Sequence, residues 1–341
     1  MQSVKSVSNL KLRLAYGITG QQDIGFVYPY LPTYSPSTET AKYQFGDTFY
    51  NTLRPNAYDP LIKWEETVSY NAGLDFGFFN DKLTGSFDMY LRDTQDLINS
   101  IPVAAGSNLS NYLTTNVGSM ENRGYEIALN YKLIERENLN WQVGVNFTHN
   151  ENEITKLTRV TDPNYQGILV GGIAGGVGNT VQNHQVGYPA FSFFVFEQIY
   201  DANGKPIEGM YADRTGNGGS VTSNDNNRYR YESPNATYLA GINSNLTYNN
   251  FDFSFSGRLS LGNYVYNNLL SERARYSNVY NTNGFFNNVP SAITDTNFSN
   301  AQYLSDYYVQ DASFFKMDYI SAGYNFKQLL DNKLQARIGI T

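Results

Sequence analysis

Three features of the 341 residues predict an all-β chain, and specifically an antiparallel transmembrane β-barrel. Apolar and polar residues alternate with period two, the alternating stretches are longer than globular strands, and short turns take turns with long polar connections. Successive side chains of a strand point to opposite faces, so such stretches carry one greasy and one wet face.

The first stretch sets Leu10, Leu12, Leu14 and Tyr16 against Lys11, Arg13 and Gly17. From Thr67 to Phe79, Val68, Tyr70, Ala72, Leu74, Phe76 and Phe78 share a face, opposite Thr67, Ser69, Asn71, Gly73, Asp75 and Gly77. Asn80-Asp81 suits a two-residue hairpin turn. The return strand sets Leu83, Phe87, Met89 and Leu91 against Thr84, Ser86, Asp88 and Arg92. Tyr125 to Leu133, Trp141 to Phe147, Phe251 to Leu261 and Leu334 to Ile340 repeat the pattern. The reading gives about ten strands, near 9–17, 66–79, 82–92, 117–133, 140–150, 190–200, 236–248, 251–265, 313–326 and 333–341.

Length separates a membrane wall from a soluble sandwich. Fourteen residues extend roughly 46 Å, against about 5–6 residues in a globular strand and about 9–11 for a tilted strand crossing hydrocarbon. The connections at Asn80-Asp81, 134–139, Asn249-Asn250 and 327–332 are short, whereas 18–65, 93–116, 151–189, 201–235 and 266–312 are long. Outer-membrane barrels have this asymmetry, with short periplasmic turns and long outer loops. Long connections on both sides of 190–200 break strict up-down alternation, so one further crossing is expected inside 151–189, around Gln166 to Ile173, unless a long connection lies on the periplasmic side.

Composition excludes several function classes. Charged residues make up 16%, aromatics 15%, and 41 residues are Asn. A net charge of -7 is not the footprint of a nucleic-acid binder. The absence of Cys removes disulfides, thiolate metal sites and thiol nucleophiles. No run of 18 apolar residues occurs, and residues 1–20 lack the apolar block of a signal peptide.

Several blocks in order resemble the SusC/RagA-type TonB-linked outer-membrane transporters of Bacteroidota. These are DPLIKWEETVSYNAGLDFGFFNDKLTGSFDMYLRDTQDLI (Asp59 to Ile98), TTNVGSMENRGYEIALNY (Thr114 to Tyr131), VGYPAFSFFVFEQIYD, SPNATYLAGINSNLTYNNFDFSFSG and VQDASFFKMDYISAGYN. The resemblance covers nearly the whole chain. It implies that residues 1–341 are the C-terminal part of a TonB-dependent receptor β-barrel, about 10–11 of roughly 22 strands around a plugged lumen. On that reading the N-terminal plug, the TonB-contacting segment and the final strand lie elsewhere in a longer polypeptide. The resemblance further implies import of oligosaccharides or peptides, a SusD-like surface lipoprotein as partner, the TonB complex acting through the N-terminal part, a lipid bilayer around the wall, no nucleic acid, no enzymatic activity and no cofactor. A non-TonB barrel (porin or adhesin) and a soluble glycan-binding β-module are the alternatives.

Few residues suggest chemistry. In MYADRTGNGGSVTSND, Asp213, Thr215, Asn217 and Asp225 offer oxygens at a spacing that suits a structural calcium. The loop lacks a second strong carboxylate and a closing Glu, and a surface turn using Asn and Gly is the alternative. GGIAGGVGN (Gly171 to Asn179) lacks the Lys-Ser/Thr ending of a phosphate loop. His149 and His184 have no evident carboxylate or nucleophile nearby and read as hydrated surface residues. Asp75 and Asp88 share the wet face of adjacent strands, either as an acid/base pair or as lining of a solvated lumen. Tyr70, Phe78, Tyr90, Tyr131, Trp141 and Tyr248 suit interfacial girdles. Tyr28, Tyr30, Tyr34, Tyr43, Tyr112, Tyr276 and Tyr280 lie in loops, available to sugars, to peptides or to loop packing.

Overall fold

The computed structural model describes residues 6–341 except 22, 24, 26–27, 104–109, 160–164, 176–177, 217, 223–224 and 330–333. Nine strands form one antiparallel sheet in which every neighbour in space is the next wall strand in sequence. They are β1 (Val7–Gln21), β2 (Glu65–Phe78), β3 (Leu83–Pro102), β4 (Tyr112–Arg136), β5 (Leu139–Lys156), β6 (Tyr238–Tyr248), β7 (Phe251–Leu261), β8 (Phe314–Leu329) and β9 (Leu334–Ile340). β1 and β9 are not paired with each other, so the sheet is open. No helix among the described residues is long and apolar enough to cross a membrane.

The alternation is carried from strand to strand through the middle of β2 to β7 by unshifted registers, while bulges shift the pairing nearer the strand ends and between β7 and β8. One row runs Leu74, Phe87, Ile127, Phe147, Ala240, Leu259; the next runs Phe76, Gly85, Leu129, Val145, Ile242. A slip of one residue would turn an entire strand over, moving its greasy set into water. On this face Leu12 and Leu14 are 68% and 73% exposed, and Ile338 and Ile340 are 69% and 76% exposed. So much open apolar surface is untenable in water and natural in lipid. The apolar stretch of β5 from Trp141 to His149 extends about 26 Å along the strand, or roughly 20 Å of height at the usual tilt, close to the expected apolar band.

The opposite face is lined by Asn, Ser, Gly and charges paired across strands. The Arg13 guanidinium donates to Asp75 and, through Nη2, to Asp88 at 2.8 Å. Arg337 pairs with Asp252 at 2.5 Å and Arg258 with Asp318 at 3.5 Å. Gly73 lies between Arg13 and Asp88, and a Cβ there would come within 2.4 Å of Asp88 Oδ1 and 2.8 Å of Arg13 Cζ. Bridging by Arg13 makes Asp75 and Asp88 members of an ion-pair cluster rather than an acid/base pair.

The turn after β2 uses three residues in the left-handed region, Phe79, Asn80 and Asp81 at φ near 56–57°. It occupies four residues rather than the expected two. The Asn249 turn is also left-handed, at φ 54°.

The wall differs from expectation in three places, each for a physical reason. Residues 190–200 are not a crossing: Ser192–Val195 and Gln198–Tyr200 are short strands outside the wall. Ile168–Gly172, where an additional crossing was expected, is also an outside strand. The described residues between β5 and β6 therefore lie outside the wall, alternation is restored, and among the described residues the wall counts nine strands rather than ten or eleven. The connection expected at 93–116 is largely strand, because β3 and β4 run on together until only 103–111 joins them.

Position-specific cost should follow this two-faced wall. Val145→Arg, at mid-band on the greasy face, should destabilise the intact protein in lipid vesicles by about 2–4 kcal/mol. Ser254→Arg on the polar face should cost well under half of that, as read by reversible unfolding titrations.

Candidate functional site

Above the wall, segments 157–237 and 262–313 fold against each other. Val181, Phe193, Val195 and Val309 form a buried cluster, with Ile173, Tyr229, Tyr264, Tyr266 and Leu304 packed around it. Phe194, Phe196, Tyr211, Phe298 and Tyr308 are also buried. Each such side chain contributes roughly 1.5–3 kcal/mol on removal from water.

The run Ser192–Val195 followed by Phe196 builds this core because its apolar residues do not alternate. All four residues of the strand are buried, as expected for a strand covered on both faces. It pairs with Thr180–His184 on one side and Tyr229–Arg230 on the other. Arg228 is held beneath, donating to the carbonyls of Phe194 and Thr180 with its guanidinium 4.5 Å from the Phe194 ring.

A polar seam joins the two segments. Phe196 and Ser305 form a parallel bridge. The Phe196 amide donates to the Leu304 carbonyl at 2.7 Å, and the Asp306 amide donates to the Phe196 carbonyl at 2.9 Å. The Asp306 carboxylate accepts the Gln198 amide at 2.9 Å and the Tyr229 hydroxyl at 2.7 Å. Ser305 donates to Gln198 Oε1 at 2.8 Å, and Tyr211 donates to Gln302 Oε1 at 2.8 Å. Phe196 stacks on Tyr211 at 4.7 Å. Burial raises the Asp306 carboxyl above its ordinary range, with Tyr229 opposing that shift. Burial, and then Asp306, raise the Tyr229 hydroxyl; burial pushes Tyr211 up to about 12. Both phenols therefore stay protonated at neutral pH and remain donors.

A second pin holds the first long connection. Asp59, 7% exposed, accepts from Thr115 Oγ1, from the Leu61 amide at 2.9 Å and from Arg159 at 3.0 Å. Burial raises this carboxyl, but those hydrogen bonds and the Arg159 charge outweigh it and hold Asp59 below the ordinary range.

The structure places the sequence-derived candidates as follows. Asp213 Oδ1 accepts from the Thr215 amide at 2.8 Å and from its hydroxyl at 2.6 Å, a local turn. Asp225 opens the short turn Asp225–Asn227, exposed, with its carboxylate 4.0 Å from Arg228. Asn217 lies outside the described residues. Among the described residues no group of three or more His, Asp or Glu is placed to hold a metal.

Both histidines depart from expectation. His149 lies 3.3 Å from Glu151 and stacks on Tyr238 at 4.9 Å. His184 is half-buried against Phe191 at 4.5 Å, and burial lowers its pKa. Tyr90 leaves the girdle, since it shares the polar face and donates to Asn150 at 2.8 Å. Tyr70, Tyr131, Trp141 and Tyr248 remain on the greasy face. All seven tyrosines expected in loops are exposed, although Tyr112 opens β4 and Tyr280 packs its ring against Phe286 at 4.8 Å.

Sequence reasoning missed Asp306, Gln198 and Tyr229. The signal that could have found this region was the unalternating SFFVF run, which is incompatible with a wall strand facing water on one side.

A two-faced antiparallel wall with short turns at one end and a packed loop domain at the other defines an outer-membrane β-barrel. Residues 7–200 match the family described as "TonB dependent receptor-like, beta-barrel". The chain belongs to that family, and it is of the SusC/RagA type. It is 44% identical to the TonB-dependent receptor SusC of Bacteroides thetaiotaomicron, over 99% of this chain and 34% of the relative. It is 28% identical to the TonB-dependent receptor P39 of Formosa agariphila, over 98% of this chain and 36% of the relative. The chain thus spans about a third of the length of these relatives. Its fold matches the RagAB peptide transporter with a TM-score of 0.69 at 22% identity, covering all of this chain and 38% of that one. The RagAB peptide importer in its open-open state gives 0.74 at 20% identity, covering all of this chain and 37% of that one. The wall lies in the bacterial outer membrane.

The Asp306 seam has a definite pH signature. A raised folded-state pKa means that the neutral carboxyl favours the fold, a contribution complete below the ordinary carboxylate range near 4 and lost as pH rises through the raised value. Asp306→Asn should therefore resist proteolysis of the loop domain as well as or better than the parent at pH 7, and lose that advantage at pH 4. Asp306→Ala should be cleaved faster at both.

Proposed function

We propose that this chain is the C-terminal wall and extracellular part of a TonB-dependent importer of oligosaccharides or peptides. The observation that carries the reading is the packed loop domain. A passive pore gains nothing from burying a Phe- and Val-rich core above its mouth, whereas a receptor needs a rigid surface that holds cargo and partner in register. The exposed loop tyrosines supply large, wet-tolerant rings for such a surface. A SusD-like lipoprotein is the proposed partner over the loops, and the TonB complex is proposed to act through a segment N-terminal to the wall.

The open edges of β1 and β9 support a larger barrel. Each unpaired backbone group in hydrocarbon costs several kcal/mol, so further strands are proposed to pair with both edges and close the wall. A soluble glycan-binding module is disfavoured by the greasy face of β1 and β9.

Growth on a panel of oligosaccharides and peptides tests the proposal. Deleting the gene in its host should abolish growth on one of these classes, and deleting TonB should abolish the same growth. Uptake that persists without TonB would identify a passive pore instead.

A further inference from the structure

A short strap, Gln185 to Phe191, ties the loop domain to the wall. It leaves the strand Thr180–His184 and meets β5 beyond Tyr238, where β6 first pairs with that strand. The Gly187 amide donates to the Ile154 carbonyl at 2.8 Å, and the Tyr188 carbonyl accepts the Ile154 amide at 3.0 Å. The Ala190 amide donates to Asn152 Oδ1 at 2.8 Å, and the Ala190 carbonyl accepts from Asn235 Nδ2 at 3.2 Å.

Both ends of the strap carry a cost. Phe191 sits in the left-handed region at φ 64°, where a bulky side chain stays only under constraint. Its ring meets the His184 imidazole edge to face, with centroids 4.5 Å apart at 84°. His184 Nε2 and Gln185 Oε1 are buried without a hydrogen-bond partner. A neutral imidazole leaves one polar site unmatched there, whereas an imidazolium would leave a charge. Burial lowers the His184 pKa, and among the described residues no charged neighbour contributes to that shift. The titratable groups alongside are Tyr188 on the strap and Arg230, whose guanidinium stacks on the Tyr188 ring at 4.9 Å. Arg230 Nη2 and Asn183 Nδ2 share the Gln166 carbonyl at 3.2 and 2.6 Å, so the charge near this strand is a cation that opposes a second one.

We propose that His184 and Phe191 form an acid-sensitive latch between the loop domain and the wall. With His184 neutral, the Phe191 ring closes against it and the strap holds to β5. With His184 protonated, the ring swings out, water reaches the imidazolium and the strap leaves β5. The closed latch keeps a strained backbone and two unmatched polar atoms, so the open arrangement lies close in free energy and one proton tips the balance. A histidine lowered by burial favours the closed state above its ordinary range near 6.5, and that contribution is lost as pH falls through the lowered value. Acid strengthens the Asp306 seam at the same time, because that carboxyl is raised rather than lowered. The latch therefore loosens the loop domain from β5 without unfolding it, and it does not depend on what the protein imports.

Hydrogen–deuterium exchange on the intact protein in lipid nanodiscs, corrected for the intrinsic pH dependence of exchange, tests the latch. Between pH 7.5 and pH 4.5 the peptide carrying Gly187 to Ala190 should lose protection roughly tenfold, the factor expected when about one hydrogen bond's worth of stability is lost. Peptides of the Asp306 seam should keep theirs. His184→Phe, which retains an aromatic packing partner but takes up no proton, should hold the strap equally at both pH values. Phe191→Gly should also remove the pH step, because water then reaches the imidazole in either state. Heat-modifiable gel mobility confirms that each variant retains its barrel. A parent strap protected equally at both pH values, or a pH step that survives in either folded variant, would overturn the proposal.

Discussion

Hydrocarbon offers no hydrogen bonds, and the wall is organised around that fact. Every backbone N–H and C=O at membrane depth must find a partner strand, so nine strands run antiparallel in unbroken neighbour order. With the backbone satisfied by pairing, side chains are left to divide two solvents, and the greasy face needs no internal core. The buried hydrophobic cluster of this chain is accordingly in the loop domain, where water returns and only burial can hold chain together.

The same division explains how charge is handled. On the polar face of the wall Arg13, Arg258 and Arg337 each sit across a strand from a carboxylate. These pairs are partly open to solvent and individually worth little, but they give three of the lumen arginines carboxylate partners among amides and hydroxyls. Beyond the wall the equivalent task falls to Asp306 in the loop domain and Asp59 in the first long connection, which are shielded and therefore hydrogen-bonded several times over. A shielded carboxylate without those donors would cost far more than an exposed one.

Most of the wall was legible in the sequence because period two is a strong signal over ten or more residues. β2, β6 and β7 fall within a few residues of where alternation placed them. Failure came where a different physics produced a similar-looking apolar stretch. SFFVF is strand-like and flanked by long polar segments, yet every residue of its strand is buried, the mark of a strand covered on both faces. The upper half of β3 and the first five residues of β4 were missed for the opposite reason: above the membrane both faces meet water or other loops, so Asp96, Asn99 and Asn116 interrupt the alternation without ending the pairing. The seam around Asp306 was invisible because it joins residues 77 to 108 positions apart. No local pattern announces such a contact.

Placing the core outside the membrane has a mechanical consequence. The two excursions leave the wall at different strands, 157–237 between β5 and β6 and 262–313 between β7 and β8, yet they share one cluster and one seam. Neither can shift alone without opening Phe196 from Ser305 and exposing Val195 and Val309. Together they brace β5 through β8 from above, while short turns hold the same strands from below. The upper rim is thus fixed as a platform, and Tyr276 and Tyr280 present rings from a surface whose ordering cost has already been met in folding. Preorganisation of that kind leaves more of any contact energy available for binding.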